Sequence, residues 1–192
     1  RQLQKECILI QKSSILVTGA NGFIGKNLTV NLNAEDGFSP LKFSRENKVD
    51  ELNNLVELAD AVVHLAGENR PKDPGAFDEV NAGLTQTLCN AILKSGRQIP
   101  LILASSTQAV QDNPYGRSKL AAEEAVEKLA EEGGNPVYIY RLTGVFGKWC
   151  KPNYNSVVAT FCHNIANDLP IQIGDESTKL NLLYIDDVVE DF

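Results

Sequence analysis

Residues 17–28 read V-T-G-A-N-G-F-I-G-K-N-L, and this stretch decides the fold. Its glycines at 19, 22 and 25 stand between an apolar run, S-I-L-V-T at 14–18, and a stretch at 22–33 where Phe23, Leu28 and Leu32 recur at helical spacing. A tight turn, close approach of backbone to a pyrophosphate and close helix–strand packing each call for a glycine at such a junction. The helix N-terminus adds free N–H groups and the positive end of its dipole. A P-loop reading fails at two positions: Ala20 stands where the first glycine is required, and Asn27 replaces the Ser or Thr after Lys26. The plainer alternative is a glycine-rich strand–helix turn with no ligand. Asn27-Leu28-Thr29 also matches a glycosylation sequon, but it lies inside the helix and is set aside.

Outward from this loop, strands and helices alternate. Strands are predicted at 41–43, 61–65, 101–104 and 137–140, and helices at 50–58, 78–94 and 115–131. That alternation predicts an α/β chain with a Rossmann-type, doubly wound parallel sheet. After Gly147 the run K-W-C-K-P-N-Y-N-S reads as a functional loop, followed by a helix at 156–166 and a strand near 181–184. The 192 residues fit one compact domain. It divides into an N-terminal extension or non-native start at 1–13, a dinucleotide-binding unit at 14–147 and a partial, truncated substrate lobe at 148–192. No methionine occurs anywhere, so the start is read as non-native.

Composition excludes several classes. The 25 acidic against 18 basic side chains give a net charge of −7, which argues against nucleic acid and anionic membrane as partners. No apolar run approaches a membrane span and no signal-peptide pattern opens the chain. Cys7, Cys89, Cys150 and Cys162 stand far apart, and only His64 and His163 are present, so neither a disulfide scaffold nor a metal site is expected. The thiols read as reduced, in a cytoplasmic protein.

The spacing Gly-x-x-Gly-x-x-Gly resembles the short-chain dehydrogenase/reductase superfamily, in its extended branch of nucleotide-sugar epimerases, dehydratases and reductases. That resemblance implies cofactor contacts at Gly19, Asn21, Gly22, Phe23, Ile24, Gly25, Leu65, Ala66, Gly67 and Leu142. The second strand ends in F-S-R at 43–45, where an NAD enzyme usually carries an acid; Ser44 and Arg45 favour the 2′-phosphate of NADP(H), with NAD(H) as the alternative.

Tyr115-Gly116-Arg117-Ser118-Lys119 sets a tyrosine and a lysine four apart on one helix face, just after the strand that runs into Ser105, Ser106 and Thr107. A lysine beside a phenol favours the phenolate, so Lys119 is expected to lower the pKa of Tyr115 and also to bind the nicotinamide ribose. Ser106 is the expected catalytic serine because the S-S run matches the superfamily, although Ser105 or Thr107 could fill the role. His64 is expected in the core, and V-N-A-G-L-T resembles the family's helix whose asparagine supports the active site, which leaves a structural or a catalytic role open for Asn81. The acids of Tyr184-Ile185-Asp186-Asp187-Val188 are read as packing and capping residues, not metal ligands.

The downstream motifs look like one subgroup, the capsule-biosynthesis reductases of a UDP-2-acetamido-2,6-dideoxy-hexos-4-ulose. They are G-E-N-R-P at 67–71, Q-D-N-P-Y-G-x-S-K-L, R-x-x-x-x-F-G-K-W-C-K-P-N-Y-N-S and V-A-T-F-C. The resemblance implies an NADPH-dependent 4-keto-sugar reductase and a homodimer, with Arg70, Ser106, Lys148, Lys151, Asn153, Tyr154 and Asn155 on the UDP-sugar. Three departures stand out: Gly144 replaces the subgroup's asparagine, no cupin-type domain is present, and the chain stops at Phe192 where extended members continue. The rivals are an NAD-retaining 4-epimerase or dehydratase and, from another class, a non-catalytic dinucleotide-binding scaffold or sensor.

Overall fold

The computed structural model describes residues 12–69 and 78–192. Arg70 and residues 1–11 of the expected extension lie outside them, whereas Ser13 already opens the first strand. Five strands, β1 (Ser13–Thr18), β2 (Phe38–Phe43), β3 (Ala61–His64), β4 (Leu101–Ser106) and β5 (Val137–Leu142), form one parallel sheet in the order β2-β1-β3-β4-β5. Pro40 lies in β2, an edge strand, where a missing N–H is tolerated.

Helices cover both faces. On one, α2 (Glu51–Leu58), α3 (Leu84–Ser95) and α4 (Pro114–Gly133) bury Leu52, Val56, Leu88, Ile92, Val126 and Leu129 against Leu16, Leu101 and Leu103. On the other, Leu28 and Leu32 of α1 (Phe23–Ala34) pack with Ile15, Val17 and Val63. Ile185 and Val189 of a final helix, α6 (Ile185–Asp191), join that second core. Both faces of β1 and β3 are therefore dry, which is why those strands read as unbroken apolar runs instead of alternating ones.

The helix expected as one piece over 78–94 is divided. Residues Asp78–Gly83 form a π-helical segment, and regular α-helix starts at Leu84. A wider turn there frees Asn81 to bond sideways, as described below. A short parallel pair, β6 (Gly144–Phe146) with β7 (Leu182–Tyr184), and the helix α5 (Val157–Ala166) complete the described chain.

Candidate active site

The candidate site lies at the carboxyl ends of β1 and β3, the neighbours between which the strand order reverses, the switch point of a doubly wound sheet. Gly19 turns the chain out of β1 with φ +66°, and a Cβ there would stand 2.7 Å from Ala66 N and 2.8 Å from the Leu65 carbonyl carbon. Gly22 N–H donates to Gly19 O at 2.8 Å, closing the turn. The helix α1 then begins with no side-chain cap at Gly22 and no acid in its first turn, so its leading N–H groups and dipole are left for an anion. A Cβ on Gly25 would collide with Gly19 O and come within 2.8 Å of Ala20 Cα. Asn21 and Gly22 are exposed at the rim, Phe23 and Ile24 half-buried beside them.

The end of β3 is held against this loop. Thr18 Oγ1 accepts from Leu65 N and Ala66 N, both at 3.2 Å, and bonds His64 Nδ1 at 2.6 Å. His64 Nε2 meets Thr85 Oγ1 at 2.8 Å, and burial pushes the imidazole pKa down to about 3. It is a neutral core histidine, as expected. Asn81, 1% exposed, grips the next residues: its side chain accepts from Glu68 N (2.7 Å) and donates to Glu68 O (3.1 Å) and Ser118 Oγ (3.0 Å). Gly67 lies between, where a Cβ would stand 3.1 Å from Asn81 Oδ1 and 3.3 Å from Lys119 Nζ. At the rim, Ser44 N–H is held by Asn47 Oδ1 at 2.9 Å, and exposed Arg45 pairs with Glu68 at 2.5 Å.

The D-N-P-Y turn explains how Tyr115 is presented. Asn113 caps α4 by accepting from Gly116 N at 2.8 Å, and Pro114 occupies the first turn, where its missing N–H costs nothing. Ser106 caps a 3₁₀ turn, Thr107–Val110, by accepting from Gln108 N at 3.2 Å. Gly116 lets that turn press on the helix, because a Cβ there would overlap the carbonyls of Gln108 and Gln111. The Ser106 and Tyr115 hydroxyls are thereby hydrogen-bonded to each other. One turn on, Lys119 is 8% exposed and its Nζ donates to Ala104 O at 3.0 Å. Ser105 faces elsewhere, donating to Glu123, and Thr107 is exposed. Leu142 pairs in register with Ser106, and the next residue, Thr143, has a buried Oγ1 with no hydrogen-bond partner among the described residues.

One expectation is corrected. The pKa of Tyr115 is raised, not lowered: burial is the largest cause, the bond with Ser106 pulls the other way, and nearby Tyr154 raises it further. The Lys119 ammonium is engaged with the Ala104 carbonyl, and burial brings its own pKa down to about 8.

The loop after β6 is shaped by left-handed residues, Trp149 (φ 67°) and Asn153 (φ 55°), after Gly147 at φ 137°. Lys148, Lys151, Asn153, Tyr154 and Asn155 are all exposed. Lys148 Nζ rests 4.4 Å above the Trp149 ring, and Tyr154 alone of the five couples electrostatically to Tyr115. Sequence reasoning missed the residue that anchors this loop. Asn27, 8% exposed, donates to Phe23 O at 2.9 Å and to Lys148 O at 3.0 Å, tying α1 to the loop across 121 positions. A polar residue on the apolar side of the helix was the available signal. Asp186 and Asp187 lie in the first turn of α6, where the dipole favours acids, while Ile185, Val188 and Val189 pack inward. No group of three or more His, Cys, Asp and Glu side chains gathers as a metal cluster among the described residues. No described helix is long and apolar enough to cross a membrane.

The chain has known relatives. The chain is 53% identical over 178 residues to the UDP-2-acetamido-2,6-beta-L-arabino-hexul-4-ose reductase of Pseudomonas aeruginosa, an alignment covering 93% of this chain and 48% of that protein. The crystal structure of capsular polysaccharide assembling protein CapF from Staphylococcus aureus superposes with a TM-score of 0.81 at 45% identity, over 92% of this chain and 48% of that one. The chain thus spans about half the length of both. The UDP-glucose 4-epimerase of Thermotoga maritima has a TM-score of 0.82 at 22% identity, over 92% of this chain and 71% of its own, and shares the fold. Residues 15–192, from the first strand through the last helix, match one family model: the chain belongs to the NAD dependent epimerase/dehydratase family.

Proposed function

We propose that this chain is the cofactor-binding reductase unit of an NADPH-dependent enzyme that reduces a UDP-linked 4-keto-6-deoxy-hexose, in nucleotide-sugar biosynthesis for capsule or O-antigen. The observation that carries the reading is the pairing of the Ser106 and Tyr115 hydroxyls one helical turn from Lys119, at the carboxyl end of β4. The Pseudomonas aeruginosa relative, named as a reductase of a UDP-linked hexul-4-ose, supports the substrate class. A cytoplasmic homodimer belongs to the same reading.

The residues fit a dinucleotide. Gly19, Gly22 and Gly25 leave a backbone cradle that side chains would fill, and the uncapped N-terminus of α1 faces it. Asn21, Phe23, Ile24, Leu65, Ala66, Gly67 and Leu142 are the further cofactor contacts of this reading. Arg45 is the residue for a 2′-phosphate, which would compete with Glu68 for its guanidinium. When bound, reduced nicotinamide supplies a hydride to the carbonyl carbon. Negative charge then grows on the carbonyl oxygen, where Ser106 donates a hydrogen bond and Tyr115 delivers its proton. Burial keeps the Tyr115 phenol protonated, the form that a reduction consumes. Lys119, beside Gly67 and on the same helix, stabilises the phenolate left behind. Lys148, Lys151, Asn153, Tyr154 and Asn155 form the rim that meets the sugar nucleotide, with lysines for diphosphate and Tyr154 for a ring. Arg70 belongs to the same set by resemblance.

The test is consumption of NADPH with a UDP-4-keto-sugar by the parent and by Tyr115→Phe. Loss of at least about a hundredfold in rate, with NADPH binding intact, is expected. A Tyr115→Phe protein that reduces the sugar as fast as the parent refutes the assignment.

A further inference from the structure

Three consecutive residues at the end of β4 engage α4 in three ways. Ala104 O accepts from Lys119 Nζ at 3.0 Å, Ser105 Oγ donates to the Glu123 carboxylate, and the Ser106 hydroxyl meets Tyr115. Glu123 is the unusual member, because its side chain is only 3% exposed yet ionised. Burial alone would raise its carboxyl pKa; the bonds from Arg141 and Ser105, with the charges of Arg141 and Lys119, hold it below the usual range. Arg141 on β5 reaches both oxygens through Nε (3.0 and 3.2 Å) and one through Nη2 (2.6 Å).

Arg141 does not require this arrangement. Its side chain is 45% exposed and solvated, so the burial falls almost wholly on the carboxylate. A buried charge is costly unless it answers another one. A second cation, Lys119, lies about one helical turn away on the same face at i,i+4 and is itself 8% exposed. We propose that Glu123 is a positioning residue: its carboxylate, gripped by Arg141 and Ser105, keeps the Lys119 ammonium charged and directed at the Ala104 carbonyl beside Tyr115.

This rests on the proposed function only for its kinetic consequence; the electrostatic link can be measured without turnover. Among the described side chains, the titratable groups around Lys119 are Glu123 and Tyr115 on α4, neutral His64 on β3 and, behind Glu123, Arg141 on β5. Burial lowers the Lys119 pKa to about 8 and Glu123 raises it, so the two oppose each other near working pH.

The experiment follows the Lys119 Cε resonance against pH in protein labelled with ¹³C-lysine, the signal being assigned through Lys119→Arg. The parent midpoint is expected at about 8. Glu123→Gln should lower it by about one unit or more, and Arg141→Met, which leaves the carboxylate unneutralised, should raise it by about half a unit. Opposite shifts support the proposal, because a scaffold role would move both variants alike or neither. Amide spectra report whether each variant folds; should Glu123→Gln fail to fold, a Lys119 midpoint that is unchanged or lower in Arg141→Met overturns the proposal. In the reductase assay the limb of the pH–rate profile should follow the Lys119 midpoint. A parent that titrates and shifts as described but reduces no sugar would sink the proposed function and leave this link standing.

Discussion

Gly19→Ala is the most informative single change in the glycine loop, because two separable costs meet there. The first is conformational: at φ +66° an L side chain crowds its own backbone, for about 1–2 kcal/mol. The second is steric. The new Cβ would lie 2.7 Å from Ala66 N and 2.8 Å from the Leu65 carbonyl carbon, both backbone atoms that cannot rotate away. Relief requires the end of β3 to retreat, at about 1–3 kcal/mol for overpacking. It also stretches the bonds of Leu65 N and Ala66 N to Thr18 Oγ1, about 1 kcal/mol more if one is lost. The sum is about 3–6 kcal/mol, or roughly 10–20 °C in Tm for a domain of this size. Three other glycines separate the terms. Gly96→Ala has the same φ of +66° with nothing within 4 Å, and should cost only the conformational part. Gly25→Ala has the collision without the positive φ, and Gly37→Ala has neither and should be neutral. Urea denaturation of the four variants reads the series directly. If Gly19→Ala costs no more than Gly96→Ala, the close approach of β3 to the loop is not what requires a glycine at position 19.

Further outcomes follow from other parts of the structure. His64 is held neutral with its pKa near 3 against about 6.5 unfolded, so its contribution is intact above pH 6.5. Stability is then lost as pH falls from 6.5 toward 3, at about 1.4 kcal/mol per unit, because the unfolded chain binds the proton first. His64→Gln should flatten the stability–pH slope in that window by this amount, and an unchanged slope contradicts a buried neutral imidazole. Asn27→Ala removes the tether to Lys148 O and should speed hydrogen exchange at residues 147–156 by about tenfold, leaving the sheet amides as they were. Arg45→Ala should weaken NADPH and leave NADH binding nearly unchanged, whereas Glu68→Gln should strengthen NADPH by releasing the guanidinium. Equal effects on the two cofactors would remove Arg45 from 2′-phosphate recognition.

The strands and long helices were legible because their signals are local. Apolar runs of four to six residues bounded by turn residues lie where β1, β3, β4 and β5 form, and Asn113-Pro114 marks the start of α4 as a cap followed by a proline. Short elements such as β6 and α6 escaped for the opposite reason. A three-residue strand has no periodicity of its own, and Gly144–Phe146 becomes a strand only because Leu182–Tyr184 lies alongside it. The same divide runs through the site. A tyrosine and a lysine four apart can be read from spacing, but burial cannot, so the sequence argument took Lys119 as a nearby charge and missed the desolvation that dominates Tyr115.

Ser105 and Ser106 show why that divide matters for chemistry. They are chemically identical neighbours, and nothing in their own side chains separates a catalytic serine from a supporting one. The separation comes from what each meets on α4: Glu123, two turns into the helix, or Tyr115, in its first turn. Pro114 and the Asn113 cap set where the helix starts, and Gly116 sets how closely the turn after Ser106 packs against it. A change in any of these would move Tyr115 relative to Ser106 while leaving the Ser105–Glu123 contact in place. The helix start, rather than the serine pair, is therefore what assigns the two hydroxyls to different roles.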